Sequence, residues 1–320
     1  MKKKYVFIIF ILLLIIGFCV YFFLFRTVTY KPQISNKAAT HTLKIQDSIS
    51  FALDEKTNPY VSETQYIQTD SVAYLTFLNQ SSQSIYWYDF KTKKIAFQTP
   101  LSKEGANGVD IISGYKIINK DTIIVYSYRT SVVSMVDIKG NLKKKIGSYA
   151  QIVPNAKYAG APSGKYGSEL IFHKNQIYGA TFNADPNLPG EDSLNRPILV
   201  SISSLTGKMQ AFLGRPSIYR ETYWGGLQMQ QVFTTYNPAQ GKIIFSFPIL
   251  AEIFVYDIKN QKIETYQAGS TLAKEVVSFP LNAISQKKVN QNIICQIQPM
   301  EAFFMTLIER FIIDFSPCPQ

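Results

Sequence analysis

One short pattern of apolar and polar residues recurs along the chain. In Ile85–Ile95 an apolar run ends at Asp89, and a polar turn leads into the next apolar position. Ile253–Ile263 repeats this pattern position for position, and Val133–Leu142 repeats it one residue shorter. A weaker copy spans Leu199–Met209. A hairpin that recurs along a chain is the signature of a repeat architecture.

Each clear copy follows a further apolar strand, so the repeating unit is strand, loop, strand, aspartate turn and strand. The preceding strands are Ser71–Leu78, Thr122–Tyr128 and Lys242–Phe247. The turns are marked at unequal intervals by Asp89, Asp137, Ser203 and Asp257. This spacing favours four-stranded propeller blades that carry insertions, and it is too irregular for a solenoid.

The composition agrees with an all-β body, because aromatic residues make up 14% of the chain and favour strands. We count four clear repeats and a partial one at Leu43–Phe51. The sequence therefore predicts a β-propeller in which four to five blades are visible. Such a ring is incomplete, and its open edges need a partner or a cover.

The N-terminus predicts a membrane anchor or signal over residues 1–26. Lys2–Lys4 precede an uncharged apolar run from Val6 to Phe25, and Arg26 is the next charge. Twenty such residues in a helix span about 30 Å, the thickness of the hydrocarbon core of a bilayer. The lysines hold that end in the cytoplasm. We expect residues 27–41 to be a polar spacer and residues 42–291 to form the propeller-like domain outside the cytoplasm.

Three fates of this N-terminus stay open. We favour an uncleaved anchor that contacts the membrane through residues 6–25. Cys19 would instead carry lipid if the segment were a lipoprotein signal, although Phe18 stands where a small residue is usual. Ordinary cleavage is the third alternative. All three place the body in the cell envelope.

Charge and cysteine content add little to this picture. The net charge of +11 is scattered along the chain, so we predict no nucleic-acid partner. Apart from Cys19 the cysteines are Cys295 and Cys318, too few for a disulfide framework.

Candidate chemistry is sparse. His41 and His173 have no second histidine or cysteine near them in sequence, so we predict no metal site and no cofactor. The oxygen-rich loop Glu104–Asp110 is the best candidate for a polar binding site, or else a turn between blades. Tyr223–Trp224 precedes two glycines and suggests a sugar-stacking platform, or else an aromatic pair packed between blades. The candidate binding residues are Glu104, Asn107, Asp110, Tyr223 and Trp224.

The C-terminal residues 292–320 show no repeat pattern. If the same nucleotides are read two bases further on, they permit a sequence that matches the pattern of Thr235–Phe247. We interpret this tail as the product of a frameshift near Gln291 that truncates the propeller. The alternative is a natural C-terminal pair of strands.

The chain resembles an uncharacterised family of bacterial envelope lipoproteins, a domain of unknown function with propeller-like repeats. The segments that carry the resemblance are Tyr74–Asn79, Ile85–Asp89 and Leu101–Val109. The resemblance covers roughly residues 40–290. It implies a six-bladed ring, a lipid or membrane anchor, and no established activity.

Two functions follow from these observations. The first is an envelope-anchored, non-catalytic binding or scaffold propeller for a protein, peptide or glycan, and we prefer it because no catalytic motif is present. The alternative is a glycan lyase or hydrolase, whose carboxylates would gather at the centre of the ring from separate blades. The carboxylates that could do so are those of Glu104, Asp110, Glu169 and Glu221.

Overall fold

The computed structural model describes residues 2–33, 47–57, 61, 63–69, 71–127, 129–149, 168–181, 197–225, 229, 231–269 and 275–279. Within these ranges one long helix precedes four antiparallel sheets of four strands each. A two-stranded ribbon joins the segment after the helix to the segment after the fourth sheet. The predicted tail, with Cys295 and Cys318, lies outside the described residues, as does His41.

The elements follow one another in chain order. Helix α1 is Lys2–Phe25, and strand β1 is Thr29–Tyr30. Sheet 1 consists of β2 Gln65–Gln68, β3 Ala73–Asn79, β4 Ser84–Asp89 and β5 Ile95–Pro100. Sheet 2 consists of β6 Ile112–Asn119, β7 Thr122–Ser127, β8 Val132–Val136 and β9 Leu142–Ser148. Sheet 3 consists of β10 Ile171–His173, β11 Gln176–Ala180, β12 Leu199–Ser203 and β13 Met209–Phe212. Helix α2 is Ile218–Glu221, sheet 4 consists of β14 Phe233–Asn237, β15 Lys242–Ser246, β16 Glu252–Asp257 and β17 Lys262–Gln267, and β18 is Val276–Val277.

Every sheet is an antiparallel meander whose strands pair in sequence order. The predicted hairpins are the last two strands of each sheet, so the repeat found in the sequence is the blade of the structure. The fold prediction is thereby confirmed as a mostly β, four-blade propeller-like arrangement behind one apolar helix. The partial repeat at Leu43–Phe51 is not a strand in its described residues, 47–51.

The aspartate of the repeat holds the turn that closes each hairpin. Asp137 Oδ1 accepts hydrogen bonds from the backbone N–H groups of Lys139 and Asn141, each at 2.9 Å. Asp257 Oδ1 accepts in the same way from the backbone N–H groups of Lys259 and Asn260, each at 2.9 Å. Ser203 does this more weakly through its hydroxyl, which accepts from Thr206 N at 3.2 Å. An aspartate that satisfies the N–H groups two to four positions on is a local turn signal.

The hydrophobic core lies between consecutive sheets. Alternate side chains of a strand point to opposite faces, so each middle sheet contributes to two cores. In sheet 2, Ile123 and Val125 pack toward sheet 1 with Trp87, whereas Ile124 and Tyr126 pack toward sheet 3. The two central strands of each middle sheet are buried on both faces, which explains why they are largely apolar.

The hairpin turns also contact the preceding sheet. Gly140 has a φ of +81°, and a β-carbon built on it would lie 1.8 Å from the carbonyl oxygen of Pro100 at the end of β5. Gly207 of sheet 3 has a φ of +72°, and its built β-carbon would lie 2.6 Å from the carbonyl oxygen of Ile146 on β9. Glycine is therefore required at both turns for its backbone conformation and for the close approach.

The open face of sheet 1 is covered by the chain that precedes it. Phe77 and Tyr86 are buried there against Phe51 and Val61. The hydroxyl of Tyr88 donates a hydrogen bond to the carbonyl oxygen of Ala52 at 2.9 Å. The segment before β2 therefore takes the place of a neighbouring blade.

The predicted spacer is partly built into the body. Thr29 pairs with Val277 and Tyr30 pairs with Val276 in an antiparallel register. Residues 28–30 are therefore held by the propeller instead of forming a free polar link. The rest of the predicted spacer from residue 34 onward lies outside the described residues.

Candidate functional site

The first strands of neighbouring sheets lie next to one another. Strand β10 contacts β6, and Ser168, just before β10, forms a parallel bridge with Thr234 on β14. In a propeller the blades surround a central channel, so polar groups on these strands are candidates for a site.

Glu169 joins three sheets through one carboxylate. It lies two residues before the start of β10, and its Oε2 is 2.9 Å from Nζ of Lys116 on β6. Its Oε1 accepts hydrogen bonds from the backbone N–H of Tyr236 at 2.9 Å and from Oγ1 of Thr235 at 3.2 Å, both on β14. We call this arrangement the Glu169 bridge. Both oxygens are engaged by protein donors, and the Lys116 ammonium balances the charge.

His173 and Tyr236 extend the bridge along β10 and β14. The Tyr236 hydroxyl lies 2.6 Å from His173 Nδ1, and the two rings meet edge to face. Burial, together with the charge of Lys174, lowers the pKa of His173 below its ordinary value. Burial and the nearby Glu169 carboxylate raise the pKa of Tyr236. Both groups therefore favour their neutral forms, and the tautomer of the imidazole decides which of the two donates in this hydrogen bond.

A neutral side chain links the first strands of sheets 1 and 2, β2 and β6. Gln65 on β2 donates through Nε2 to the carbonyl oxygen of Tyr115 at 2.8 Å, and its Oε1 accepts from Ile117 N at 3.3 Å. The Tyr115 hydroxyl lies 2.9 Å from Oγ1 of Thr76, and burial raises the pKa of Tyr115 strongly. Each described gap between first strands is thus crossed by polar side chains.

The candidate loop Glu104–Asp110 connects sheet 1 to sheet 2. Asn107 Oδ1 accepts a hydrogen bond from Leu142 N at 3.1 Å, and Asp110 Oδ2 accepts one from the Ser127 hydroxyl at 2.8 Å. Burial opposes ionisation of Asp110, but this hydrogen bond and others leave its pKa below the ordinary value. Asn107 and Asp110 therefore fasten the loop to sheet 2, and Glu104 is exposed.

The candidate aromatic pair lies in the core beside sheets 3 and 4. Trp224 is 3% exposed, and its Nε1 donates to the carbonyl oxygen of Ile218 in α2 at 2.9 Å. Tyr223 is 6% exposed, and its carbonyl oxygen accepts from Phe279 N at 2.8 Å. Neither ring offers a face to solvent here. Cys19 lies on the exposed surface of α1.

The structure does not bring the four candidate carboxylates into one described cluster. Glu169 lies at the first strands, whereas Glu104 and Asp110 lie in the loop between sheets 1 and 2, and the side chain of Glu221 is outside the described part. No group of three or more His, Cys, Asp or Glu side chains suited to a metal ion occurs among the residues that the structure describes.

Sequence reasoning missed Lys116, Tyr236 and Gln65. A usable signal was the single lysine inside the apolar strand Ile112–Asn119, because a lysine in a strand that is buried on both faces needs a carboxylate partner. Nothing in the sequence indicated that the partner would be Glu169, which lies on the next blade.

The comparisons with known proteins bear on the family and the fold. A family model described as a domain of unknown function, DUF4221, matches residues 41–305. A crystal structure of a DUF4221 member from Bacteroides vulgatus is similar with a TM-score of 0.62 and 20% identity, over 71% of this chain and 63% of that one. The chain thus spans less than two thirds of the length of that relative. The β-propeller domain of Cps50 (Swd1) from Myceliophteria thermophila is similar with a TM-score of 0.38 and 10% identity, over 71% of this chain and 59% of that one. No curated protein matches.

Proposed function

The chain belongs to the DUF4221 family, and from that premise we propose that it is a membrane-tethered propeller of the cell envelope that binds a partner without transforming it. The family description assigns no activity, so the support comes from the chain's own residues. The partner is a protein, a peptide or a glycan. Two features support the proposal, one in the helix and one at the first strands.

The helix supports the tether. The segment Tyr5–Phe22 is long and apolar enough to cross a membrane, and its described side chains are exposed instead of packed on the body. Lys2–Lys4 would hold its N-terminal end on the cytoplasmic side. The propeller would then lie on the outer side of that membrane.

The Glu169 bridge is the observation that supports binding without catalysis. A general acid or base must reach the proton that it transfers, with a carboxyl oxygen left for the substrate. In Glu169 one oxygen accepts from Lys116, and the other accepts from Thr235 and Tyr236. This carboxylate therefore holds three blades together, and the binding surface is sought on the loops, where Glu104 is exposed.

A paired binding and turnover assay tests the proposal. The full chain in detergent is incubated with immobilised envelope polysaccharides and with a peptide library, and both retention and new reducing or unsaturated sugar ends are measured. We expect retention without products, weaker retention for Glu104→Ala, and unchanged retention for Glu169→Gln. Product formation that disappears in Glu169→Gln would overturn the proposal in favour of a glycan-active enzyme.

A further inference from the structure

The body begins almost directly after the apolar helix. Helix α1 ends at Phe25 and strand β1 begins at Thr29. Only Arg26, Thr27 and Val28 lie between them, and Val28 is itself bonded to the body. An extended chain advances at most about 3.3–3.6 Å per residue, so Val28 lies within about 11 Å of the end of α1.

Residues 28–30 are fastened at two places, and we call them the clasp. Val28 N donates to the Ser278 hydroxyl at 2.7 Å, and Ser278 N donates to the carbonyl oxygen of Val28 at 2.9 Å. The Tyr30 hydroxyl donates to Glu252 Oε2 at 2.6 Å and accepts from Ala251 N at 3.2 Å. Burial and the Glu252 hydrogen bond raise the pKa of Tyr30 to about 12, so the phenol stays a donor at neutral pH.

The two partners of Tyr30 lie at one end of sheet 4. Glu252 begins β16, and Asp257 ends it at the hairpin turn. A strand of this length extends about 20 Å. The clasp therefore joins α1 to the Glu252 end of sheet 4, while the turn that contains Lys259 lies at the far end.

The outer side of the clasp faces away from the core. Tyr30 and Val276 form the inward pair and pack against the core between sheets 3 and 4. Thr29 of the clasp and its partner Val277 on β18 form the outward pair, and Val277 is 48% exposed. A small, uncharged pair at this place can lie against a lipid surface without burying a charge.

We infer that the clasp holds the propeller against the bilayer in one orientation, with the Glu252 end of sheet 4 and the Thr29–Val277 pair facing the lipid headgroups. This inference depends on the proposed membrane tether. A free spacer over residues 27–39 would behave differently, because a flexible link of that length spans about 20 Å and lets the body turn. The clasp instead fixes which loops point away from the membrane and are open to a partner.

Fluorescence quenching from the headgroup layer tests the orientation. The full chain keeps Cys19 within α1, Cys295 and Cys318 are replaced by serine, and a water-soluble dye is attached at Val277→Cys or at Lys259→Cys. Each protein is reconstituted into phosphatidylcholine and phosphatidylglycerol vesicles that carry a headgroup-linked quencher. The parent without an introduced cysteine gives the background. A third protein combines Val277→Cys with a flexible Gly-Ser insertion of about ten residues after Arg26.

We expect quenching at Val277→Cys to exceed that at Lys259→Cys by about twofold or more, since about 20 Å of strand separates the two ends of β16. The Gly-Ser insertion should remove most of this difference. Equal quenching at both positions in a protein that floats with the vesicles would overturn the orientation and leave the tether standing. Failure to float with the vesicles would overturn both.

Discussion

Gly140 tests whether the hairpin turns of the repeat pack on the preceding sheet. The change is Gly140→Ala, and the matched control is Gly105→Ala. Both glycines have a positive φ, +81° and +85°, so alanine is strained to a similar degree at either position. They differ in surroundings, because a β-carbon on Gly105 meets nothing within 4 Å, whereas one on Gly140 would lie 1.8 Å from the Pro100 carbonyl oxygen.

The expected loss of stability is the sum of two costs, the strain of a positive φ and the overpacking of the added methyl group. The left-handed conformation costs an alanine about 1 kcal/mol at either site. At Gly140 the methyl group must also displace the backbone of β5, an overpacking that costs about 1–3 kcal/mol more. We therefore expect the free energy of unfolding to fall by about 1 kcal/mol in Gly105→Ala and by about 3 kcal/mol in Gly140→Ala. In a body of this size 1 kcal/mol corresponds to about 2–4 °C in Tm.

The assay is thermal unfolding of the full chain in detergent, followed by the fluorescence of the buried Trp87 and Trp224. Gly140→Ala should lower Tm by about 6–12 °C and Gly105→Ala by about 2–4 °C. Gly207→Ala, with the Ile146 carbonyl oxygen at 2.6 Å from its β-carbon, should fall between them. Equal losses in Gly140→Ala and Gly105→Ala would refute the contact between the turn and the preceding sheet.

Three further predictions concern the bridge, the cover of sheet 1 and the turns. Glu169→Gln should lower Tm by about 2–8 °C, since it weakens charge-assisted hydrogen bonds in a partly exposed pair and costs about 1–2 kcal/mol; an unchanged Tm would contradict the bridge. Tyr88→Phe removes the hydrogen bond to Ala52 and should speed backbone hydrogen exchange in residues 51–57 several-fold; unchanged exchange there would show that the hydroxyl does not fasten this segment. Turn hydrogen bonds lower the pKa of the repeat aspartates Asp89, Asp137 and Asp257, so their stabilisation is present above the ordinary value of 3.8 and is lost as the pH falls through their lower folded values. Acid titration of Tm should show this loss below pH 4, and replacement of all three by Asn should weaken it.

The repeat could be predicted from sequence because its signal is local. An aspartate that accepts from N–H groups two to four positions on works in any copy of the hairpin, so Asp137 and Asp257 are recognisable without knowledge of the neighbouring sheets. The alternation of apolar side chains then places the strands on either side of each turn. These two local signals are enough to predict four blades.

The Glu169 bridge could not be predicted in the same way. Lys116 and Tyr236 lie on sheets 2 and 4, and Glu169 precedes the first strand of sheet 3, so their contacts depend on the relative placement of whole blades. Trp224 shows the limit of a local signal, because its neighbouring glycines allow either an open platform or packing between blades. The core between sheets 3 and 4 buries its ring, in agreement with the second interpretation. Local composition does not report which side of a loop the next blade will cover.

The segment after α1 contacts both the first and the last of the four described sheets. At sheet 4 the Tyr30 hydroxyl is bonded to Glu252, and at sheet 1 the buried face that contains Tyr88 is covered by Phe51 and bonded to Ala52. An end sheet without a neighbour would expose its apolar face and its edge, which favours association with other chains. At sheet 1 this segment covers that face, whereas at sheet 4 Tyr30 packs against the core between sheets 3 and 4. Because a single N-terminal segment contacts both the first and the last described sheet, we expect the apolar helix to be coupled to the stability of the propeller-like body.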